Sequence, residues 1–273
     1  IERSEAKAII FDEKYLETIK KVQEKENSNL KTLICMDNIQ EKGIKTFNEI
    51  LEEGRNQIKN GDQKYDNIEI DENKMSIMLF TSGTTNEPKA VMLSQANICA
   101  NISNIACWVK LYPTDVLLSF LPIHHTFECT ITFLYGFYSG SQVAFCDGLK
   151  HIQQNLKEYK VSVFVAVPLV LETMYKKIQK AIEEQGKTGL IKKMTKISNT
   201  LLKAKIDIRK IVFKQILDNF GGHLRVVLYG AAPMNKATII GYNNLGISLV
   251  QGYGLTETSP VVTAETDKEK RPG

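Results

Sequence analysis

The stretch from Met78 to Met92, MLFTSGTTNEPKAVM, is the most informative part of this chain for its fold and chemistry. Its apolar start ends abruptly in small hydroxyl residues around Gly83, and Pro88 and Lys89 follow. Hydroxyls and free backbone N–H groups on a glycine-containing turn can surround phosphate oxygens, and a nearby lysine adds positive charge. The stretch therefore predicts a nucleotide-binding turn, although alone it fits an ordinary turn between a strand and a helix better.

This turn differs from the phosphate loop of P-loop NTPases. That motif needs a second glycine directly before its lysine and a Ser or Thr directly after it. Here Pro88 precedes Lys89 and Ala90 follows, so the hydroxyl that binds Mg²⁺ in that motif is missing. An unrelated P-loop NTPase is therefore disfavoured. Hydrolysis of ATP in the absence of any carboxylic acid would favour it again.

Two later segments supply groups that a phosphate turn lacks. Residues 251–260 read QGYGLTETSP, in which Tyr253 offers an aromatic face for a base and Glu257 a carboxylate for a hard cation. Residues 228–234 read LYGAAPM and follow an apolar run. The simpler interpretation makes Tyr253 half-buried core, Glu257 a solvated charge and the Gly-Ala-Ala-Pro run an ordinary turn.

Together the three segments resemble the motifs of the adenylate-forming enzymes, the family of acyl-CoA synthetases, luciferases and peptide-synthetase adenylation domains. The resemblance extends over essentially the whole chain. Asn86 departs from the family, which has Gly or Ser there, but Asn tolerates the left-handed backbone region that such a turn uses. The matching residues of the turn are Thr81, Ser82, Gly83, Thr84, Thr85, Pro88 and Lys89.

The resemblance implies a role for each matching residue. Tyr253 is expected to stack on adenine, Thr256 to contact a phosphate oxygen, and Glu257 to bind Mg²⁺ together with Thr81. Lys89 and the hydroxyls of the turn are expected to hold the departing pyrophosphate. The other residues expected at the nucleotide are Gly230, Ala231, Ala232, Pro233, Gln251, Gly252 and Gly254.

The acyl side of the site is expected near residues 121–128, LPIHHTFE. By resemblance, His125 borders the carboxylate that is activated, either bonding the acyl carbonyl or shaping a tunnel entrance. His124 fits a packed histidine at a strand end equally well. Peptide-synthetase adenylation domains have an aspartate here for the ammonium group of their substrate. Glu128 is expected to point elsewhere, so an acid without an amino group is favoured.

Residues 176–222 form an insertion that reads as two long helices. Residues 187–214 carry nine Lys or Arg against one acid, Asp207. Interleaved apolar residues give an apolar stripe beside a basic face, which can lie on an anionic membrane. A core-facing helix with solvated lysines is the alternative. The insertion and residues 221–225 that follow it resemble the long-chain fatty acyl-CoA synthetases.

Composition fits a globular protein of 273 residues whose net charge of +4 does not indicate nucleic-acid binding. The five cysteines are odd in number and lack metal-site spacing, so reduced core thiols in the cytoplasm are expected. The most apolar region, residues 126–146, is interpreted as a buried helix and strand and not as a membrane span. Residues 54–74 are expected to form a surface connection with at most one short helix.

Short apolar runs alternate with helical patterns along the chain. This repetition predicts mainly parallel sheets flanked by helices, an α/β fold, with ligands at the carboxyl ends of the strands. The predicted strands are 8–11, 32–36, 75–80, 116–121, 143–146, 161–167, 225–229 and 248–251. The predicted helices are 15–26, 94–110, 126–138, 152–159, 169–184 and 236–244.

The family architecture implies a truncated large domain of two lobes. Residues 1–110 would carry the phosphate turn, and residues 111–273 the acyl pocket, the basic insertion and the adenine and Mg²⁺ loop. The expected function is ATP-dependent activation of a long-chain fatty acid to acyl-adenylate and then, with coenzyme A, to acyl-CoA. Because the family's C-terminal domain is missing, the fragment is expected to be inactive or weakly active alone. Another acyl-adenylating ligase, for a carrier protein or an aryl acid, and a non-catalytic relative stay open.

Overall fold

The computed structural model describes residues 1–25, 28–81 and 87–266. Contacts between Cα atoms divide the chain into two compact units. The first comprises Ile1–Lys74 and Met78–Met92, and the second comprises Met75–Ile77 and Leu93–Gly273. The predicted lobes, residues 1–110 and 111–273, do not coincide with these units, and the division into two lobes stays a prediction.

The first unit is built on a three-stranded parallel sheet. Its strands lie in the order β1 (Ala8–Phe11), β2 (Thr32–Cys35) and β3 (Ile44–Thr46), and α1 (Leu16–Gln23) and α2 (Phe47–Lys59) accompany them. A small core forms from Phe11, Ile19, Leu30, Leu33 and Cys35.

Helix α2 begins earlier than the sequence predicted. The side chain of Thr46 accepts a hydrogen bond from the Glu49 N–H, and the Glu49 carboxylate accepts one from the Thr46 N–H. This capping box fixes the helix start, although none of the helix residues is buried. Phe47, Ile50, Leu51 and Ile58 also recur at helical spacing, so the sequence does contain a periodic signal for this helix.

A two-stranded sheet joins β4 (Met75–Thr81) and β5 (Lys89–Ser94). Helix α3 (Gln95–Trp108) follows β5 directly, and a second capping box, between Ser94 and Asn97, marks its start. The buried face of α3 carries Ile98, Ile102 and Ile105.

The second unit contains a six-stranded sheet in the order β11-β10-β9-β8-β6-β7. All pairings are parallel except that of β10 with β11. Every residue of β8 and β9 is buried, as expected of parallel strands with both faces covered. The strands are β6 (Val116–Ser119), β7 (Gln142–Phe145), β8 (Val163–Ala166), β9 (Val226–Tyr229), β10 (Ser248–Gly254) and β11 (Val261–Ala264).

Helices flank this sheet, so the predicted α/β fold with mainly parallel sheets is confirmed. The predicted helix 126–138 contains a π-helix (Glu128–Leu134) that runs into α4 (Tyr135–Tyr138). The other helices are α5 (Ile152–Glu158), α6 (Pro168–Glu184), α7 (Thr188–Lys203), α8 (Arg209–Val212), α9 (Lys214–Leu217) and α10 (Lys236–Asn244).

The insertion differs from the two long helices predicted for it. After the end of α6 it contains one long helix, α7, and then the four-residue helices α8 and α9. Lys205 adopts a left-handed backbone with φ of +63° just after α7. The Asp207 side chain then accepts a hydrogen bond from the backbone N–H of Arg209 at 3.0 Å. Both features stop a continuous helix, and the hydrophobic period does not reveal them.

The amino ends of the central strands are joined by one charged cluster. Asp115, just before β6, accepts hydrogen bonds from Arg225 Nε at 2.8 Å and Ser162 Oγ at 2.7 Å. Its other oxygen accepts the Tyr112 N–H at 2.8 Å. Burial alone would raise the pKa of Asp115, but the hydrogen bonds from Arg225 and Ser162 hold it below its usual value. The cluster ties β6, β8 and β9 together.

Among the described residues, no helix combines the length and apolar character needed to cross a membrane. The expectation of core thiols is correct for Cys35 but wrong for Cys99 and Cys107, which are exposed. Both lie on α3, whose apolar stripe does not include them.

Candidate active site

Three of the predicted site segments meet at the carboxyl edge of the six-stranded sheet. The loop with His124 and His125 follows β6, the Gly-Ala-Ala-Pro loop follows β9, and Tyr253 lies at the end of β10. Strands β9 and β10 are neighbours, whereas β6 is three strand spacings from β10, or about 14 Å. The edge is therefore wide enough for an extended ligand.

The ends of β9 and β10 approach each other closely. A Cβ atom at Gly230 would lie 3.0 Å from the carbonyl oxygen of Gly252, so glycine permits the approach. The Tyr229 hydroxyl donates to Gln251 Oε1 at 3.0 Å, and the Gln251 N–H donates to Glu265 Oε2 at 3.1 Å. Burial and the charge of Glu265 raise the pKa of Tyr229 to about 12, so the hydroxyl stays a donor.

The turn after Tyr253 is fixed from within. A Cβ atom at Gly254 would overlap the carbonyl oxygen of Pro260. The Leu255 N–H donates to that oxygen at 3.0 Å, and Thr258 Oγ1 accepts the same N–H at 3.0 Å. Tyr253 and Glu257 nevertheless stay exposed, with 63% of Tyr253 accessible. A rigid turn that leaves an aromatic face and a carboxylate open suits ligand binding.

Asn101 of α3 holds this turn from outside, and sequence analysis missed it. Its Nδ2 donates to the carbonyl oxygens of Thr258 at 3.0 Å and Val261 at 2.8 Å, and its Oδ1 accepts the Val261 N–H at 3.2 Å. The available signal was a polar residue on the buried, isoleucine-lined face of α3.

The loop after β6 places both histidines at the surface. The rings of His124 and His125 are exposed and lie 4.5 Å apart between centroids. The His125 N–H donates to the Pro122 carbonyl at 3.0 Å, and the Cys129 N–H donates to the His125 carbonyl at 2.9 Å. His125 is thus free to meet a ligand, while Glu128 is completely buried.

A cavity of about 390 Å³ opens between α3, the helix after His125 and the ends of β9, β10 and β11. The polar part of the cavity lining includes Asn101 and the backbone at Gly252. Trp108, the single tryptophan of the chain, lies in its wall. The apolar lining consists mainly of Ile105, Trp108, Val109, Phe127, Ile131, Leu228, Val250, Val261 and Val262.

The phosphate turn belongs to the other compact unit. Thr81 ends β4, and Lys89, which is exposed, begins β5. Ser82, Gly83, Thr84 and Thr85 lie outside the described residues, so their roles stay predictions. Arg3 donates through Nη1 to the Pro88 carbonyl at 2.8 Å and pairs with Glu87. The sequence gave no reason to place this cation beside the turn.

Comparison with known proteins agrees with these motifs. The family described as AMP-binding enzyme matches residues 1–273. The chain is 29% identical over 282 residues to long-chain-fatty-acid–CoA ligase 6 of Mus musculus, covering 94% of this chain and 39% of that protein. It is 30% identical over 210 residues to long chain acyl-CoA synthetase 7, peroxisomal, of Arabidopsis thaliana, covering 73% of this chain and 29% of that protein. The chain thus spans about two fifths or less of these curated relatives.

A solved structure of similar fold is the long-chain-fatty-acid-CoA ligase FadD1 of Archaeoglobus fulgidus. It has a TM-score of 0.67 at 21% identity and covers 96% of this chain and 45% of its own. The fold agrees with the family match and with the motif order. The two curated relatives are long-chain acyl-CoA ligases. Because the AMP-binding enzyme family matches this chain over its whole length, the chain belongs to that family.

Proposed function

We propose that this chain forms the nucleotide- and acyl-binding part of an ATP-dependent long-chain fatty acid–CoA ligase. The observation that carries the proposal is an apolar cavity that reaches Gly252, one residue before the exposed Tyr253. An apolar chain and a nucleotide could therefore bind side by side. The chain spans only part of its relatives, so the complete reaction is proposed for an enzyme that includes the remaining domain.

In the first half-reaction, a carboxylate oxygen of the acid attacks the α-phosphorus of ATP. The bond from that phosphorus to the bridging oxygen breaks, and acyl-adenylate and pyrophosphate form. Both reactants are anions, so positioning and charge neutralisation matter more than covalent help. In the second half-reaction, the thiolate of coenzyme A attacks the acyl carbon and AMP leaves.

Each motif has a proposed part in this chemistry. Tyr253 would stack on adenine, with the loop of Gly230, Ala231, Ala232 and Pro233 on its other side. Thr256 would contact a phosphate oxygen. Lys89 would hold the pyrophosphate, together with the hydroxyls of the phosphate turn.

The residues at the nucleotide fit Mg²⁺, which generally binds through one or two carboxylates and the substrate phosphates. Glu257 is exposed at the strand edge and forms no ion pair within the described chain, so its oxygens are available. Thr81 would add a hydroxyl. When bound, the ion would neutralise phosphate charge.

The apolar cavity is the proposed site of the acyl chain. Its wall includes Phe127 and Ile131, which lie just after His125 in the chain. A single fatty acid could therefore place its carboxylate near His125 and its alkyl chain against this wall. None of the described residues that line it is Lys, Arg, Asp or Glu, which favours an acid without a second charge.

Exchange of labelled pyrophosphate into ATP tests the proposal. We expect exchange by an enzyme that contains this chain to require a fatty acid and to be strongest with long chains. Residues 1–273 alone should bind Mg·ATP weakly and form little or no acyl-CoA. Preference for an aryl acid, or for transfer to a carrier protein, would favour the alternative ligases. Mg·ATP binding without exchange on any acid would favour a non-catalytic relative.

We also propose a cytoplasmic protein that touches anionic membrane through residues 187–214. Exposed lysines there, such as Lys193, Lys196 and Lys203, are interspersed with exposed aliphatic side chains. Lysines near an anionic surface contribute about 1 kcal/mol each. The exposed aliphatic residues are Leu190, Ile197, Leu202, Ile206 and Ile211.

Sedimentation with vesicles tests this contact. We expect binding to vesicles that contain phosphatidylserine and none to neutral vesicles. Reversing Lys193 and Lys196 to Glu should weaken binding at least tenfold. The matched control reverses Lys7 and Lys59, two exposed lysines of the first unit. Equal losses in both variants would mean that net charge, and not this face, drives binding.

A further inference from the structure

Glu128 is a buried carboxyl group that the proposed chemistry does not use. Its residue exposure is 0%. Within the described chain, no Lys, Arg or His forms an ion pair with it. A buried carboxylate is costly unless hydrogen bonds or a cation compensate it, so its retention beside a ligand site needs a reason.

Hydrogen bonds to this carboxyl come from the end of β6 and from the helix. Ser119 Oγ, at the last residue of β6, donates to Oε1 at 2.7 Å. Thr132 Oγ1, one turn along the π-helix, donates to Oε2 at 2.9 Å. The carboxyl therefore joins the strand end to the helix, across the loop that lies between them.

The parts so joined carry the acyl side of the site. The loop presents His125, and the helix presents Phe127 and Ile131 to the apolar cavity. The ring of Phe127 also packs close to Gly230: a Cβ atom placed on Gly230 would lie 3.4 Å from it. Movement of this helix would change the cavity wall and the loop after β9 together.

The helix is not held by regular hydrogen bonding alone. Glu128–Leu134 is a π-helix, a form that is rare and is often found at functional sites. The Thr130 hydroxyl in it is buried and, within the described residues, has no hydrogen-bond partner. The Glu128 carboxyl supplies a fixed point for this segment of unusual helical geometry.

We propose that Glu128 is a positioning residue for the acyl side of the site. Its carboxyl holds the His125 turn and the cavity wall of Phe127 and Ile131 against the end of β6. The identity of the ligand rests on the proposed function, whereas the anchoring itself does not.

The test compares Glu128→Leu with Asp115→Asn in residues 1–273. Both replace a buried carboxyl at an end of the same strand, but Asp115 lies away from the site. Emission of Trp108, in the cavity wall, reports binding of palmitate and of a sulfamate analogue of palmitoyl-adenylate. Amide hydrogen exchange reports local opening without any ligand, and melting temperature reports global stability.

We expect Glu128→Leu to weaken analogue binding at least tenfold and to speed exchange in residues 120–131 at least tenfold. Mg·ATP binding should weaken less than analogue binding does. Glu128→Gln, which keeps part of the hydrogen bonding, should restore most of the analogue affinity. Asp115→Asn should lower the melting temperature but leave affinity and exchange in residues 120–131 unchanged.

Failure of the anchoring and failure of the proposed function give different results. If Glu128→Leu lowers the melting temperature but leaves local exchange at the wild-type rate, or speeds it equally in residues 248–254, the positioning role is wrong. If the wild type binds no fatty acid but the local exchange effect is present, the positioning role stands and the substrate assignment is wrong. Thr132→Val removes one donor to the carboxyl. It should weaken analogue binding and speed exchange in residues 120–131, but less than Glu128→Leu does.

Discussion

Two buried carboxyl groups lie against the opposite ends of strand β6, in opposite electrostatic settings. At the amino end, Asp115 pairs with Arg225, which keeps its pKa below the usual value despite burial. At the carboxyl end, burial raises the pKa of Glu128, although Ser119 and Thr132 donate to it. One end is stabilised by a cation, whereas the side chains that donate to Glu128 in the described ranges are neutral. The difference indicates that the amino end secures the fold while the carboxyl end serves the ligand.

The largest expected effect at the amino end is on stability. Asp115→Ala removes the partner of Arg225 and the acceptor for Ser162, so we expect a loss of about 3 kcal/mol in the free energy of unfolding. Urea denaturation measures it. Mg·ATP affinity should change less than twofold, and a large affinity loss with wild-type stability would remove the contrast between the two ends.

At the carboxyl edge, Glu257→Ala should do the opposite. Glu257 is exposed, so its loss should leave the melting temperature nearly unchanged. Loss of a charged ligand interaction of about 2 kcal/mol should weaken Mg·ATP binding roughly 30-fold. Isothermal titration calorimetry measures the affinity. A sharp fall in melting temperature with unchanged affinity would make Glu257 a structural residue.

Asn101→Ala should give a mixed and smaller effect. The change removes the anchors of Thr258 and Val261 while their carbonyl oxygens stay partly buried, which should cost about 1–2 kcal/mol. We expect Mg·ATP affinity to fall about threefold to tenfold, because the Glu257 turn loosens. Asn104→Ala, which changes the same residue type one turn along the same cavity wall, is the control and should leave both quantities near wild type.

The pH dependence of stability should also distinguish the two ends. The contribution of Asp115 is present above the usual Asp pKa and is lost as pH falls through its lowered value. The contribution of Glu128 has the opposite sign. It is present below the usual Glu pKa and is lost as pH rises through the raised value.

Thermal melts between about pH 3 and about pH 8 measure both slopes. Asp115→Asn should reduce the loss of stability at acidic pH, and Glu128→Gln should reduce the loss of stability toward neutral pH. Identical profiles for the two variants would mean that the two carboxyl groups do not differ electrostatically.

Local sequence predicted the sheet cores well because apolar runs and strand-end turns are local signals. All eight predicted strands are present, and the helix predicted at residues 236–244 ends where α10 does. Strands β3, β5 and β11 were missed. They are short or partly polar, with only one residue of β3 and none of β11 buried, so their patterns were weak.

The parts of the site that escaped prediction depend on distant contacts. Asn101 reaches a carbonyl group 157 residues later in the chain, and Arg3 reaches one 85 residues later. Tyr229 was recognised as part of a motif, but its bond to Gln251 follows from the pairing of β9 with β10. Glu128 gave a sequence signal only as a charge in an apolar segment, and its bonds to Ser119 and Thr132 needed coordinates.

The central claim is that the Tyr253–Glu257 turn binds Mg·ATP. A crystal structure of residues 1–273 with Mg²⁺ and a non-hydrolysable ATP analogue tests it most directly. We expect the Glu257 carboxylate on the Mg²⁺ ion and the Tyr253 ring against the adenine. A nucleotide that contacts neither Tyr253 nor Glu257 would contradict the claim.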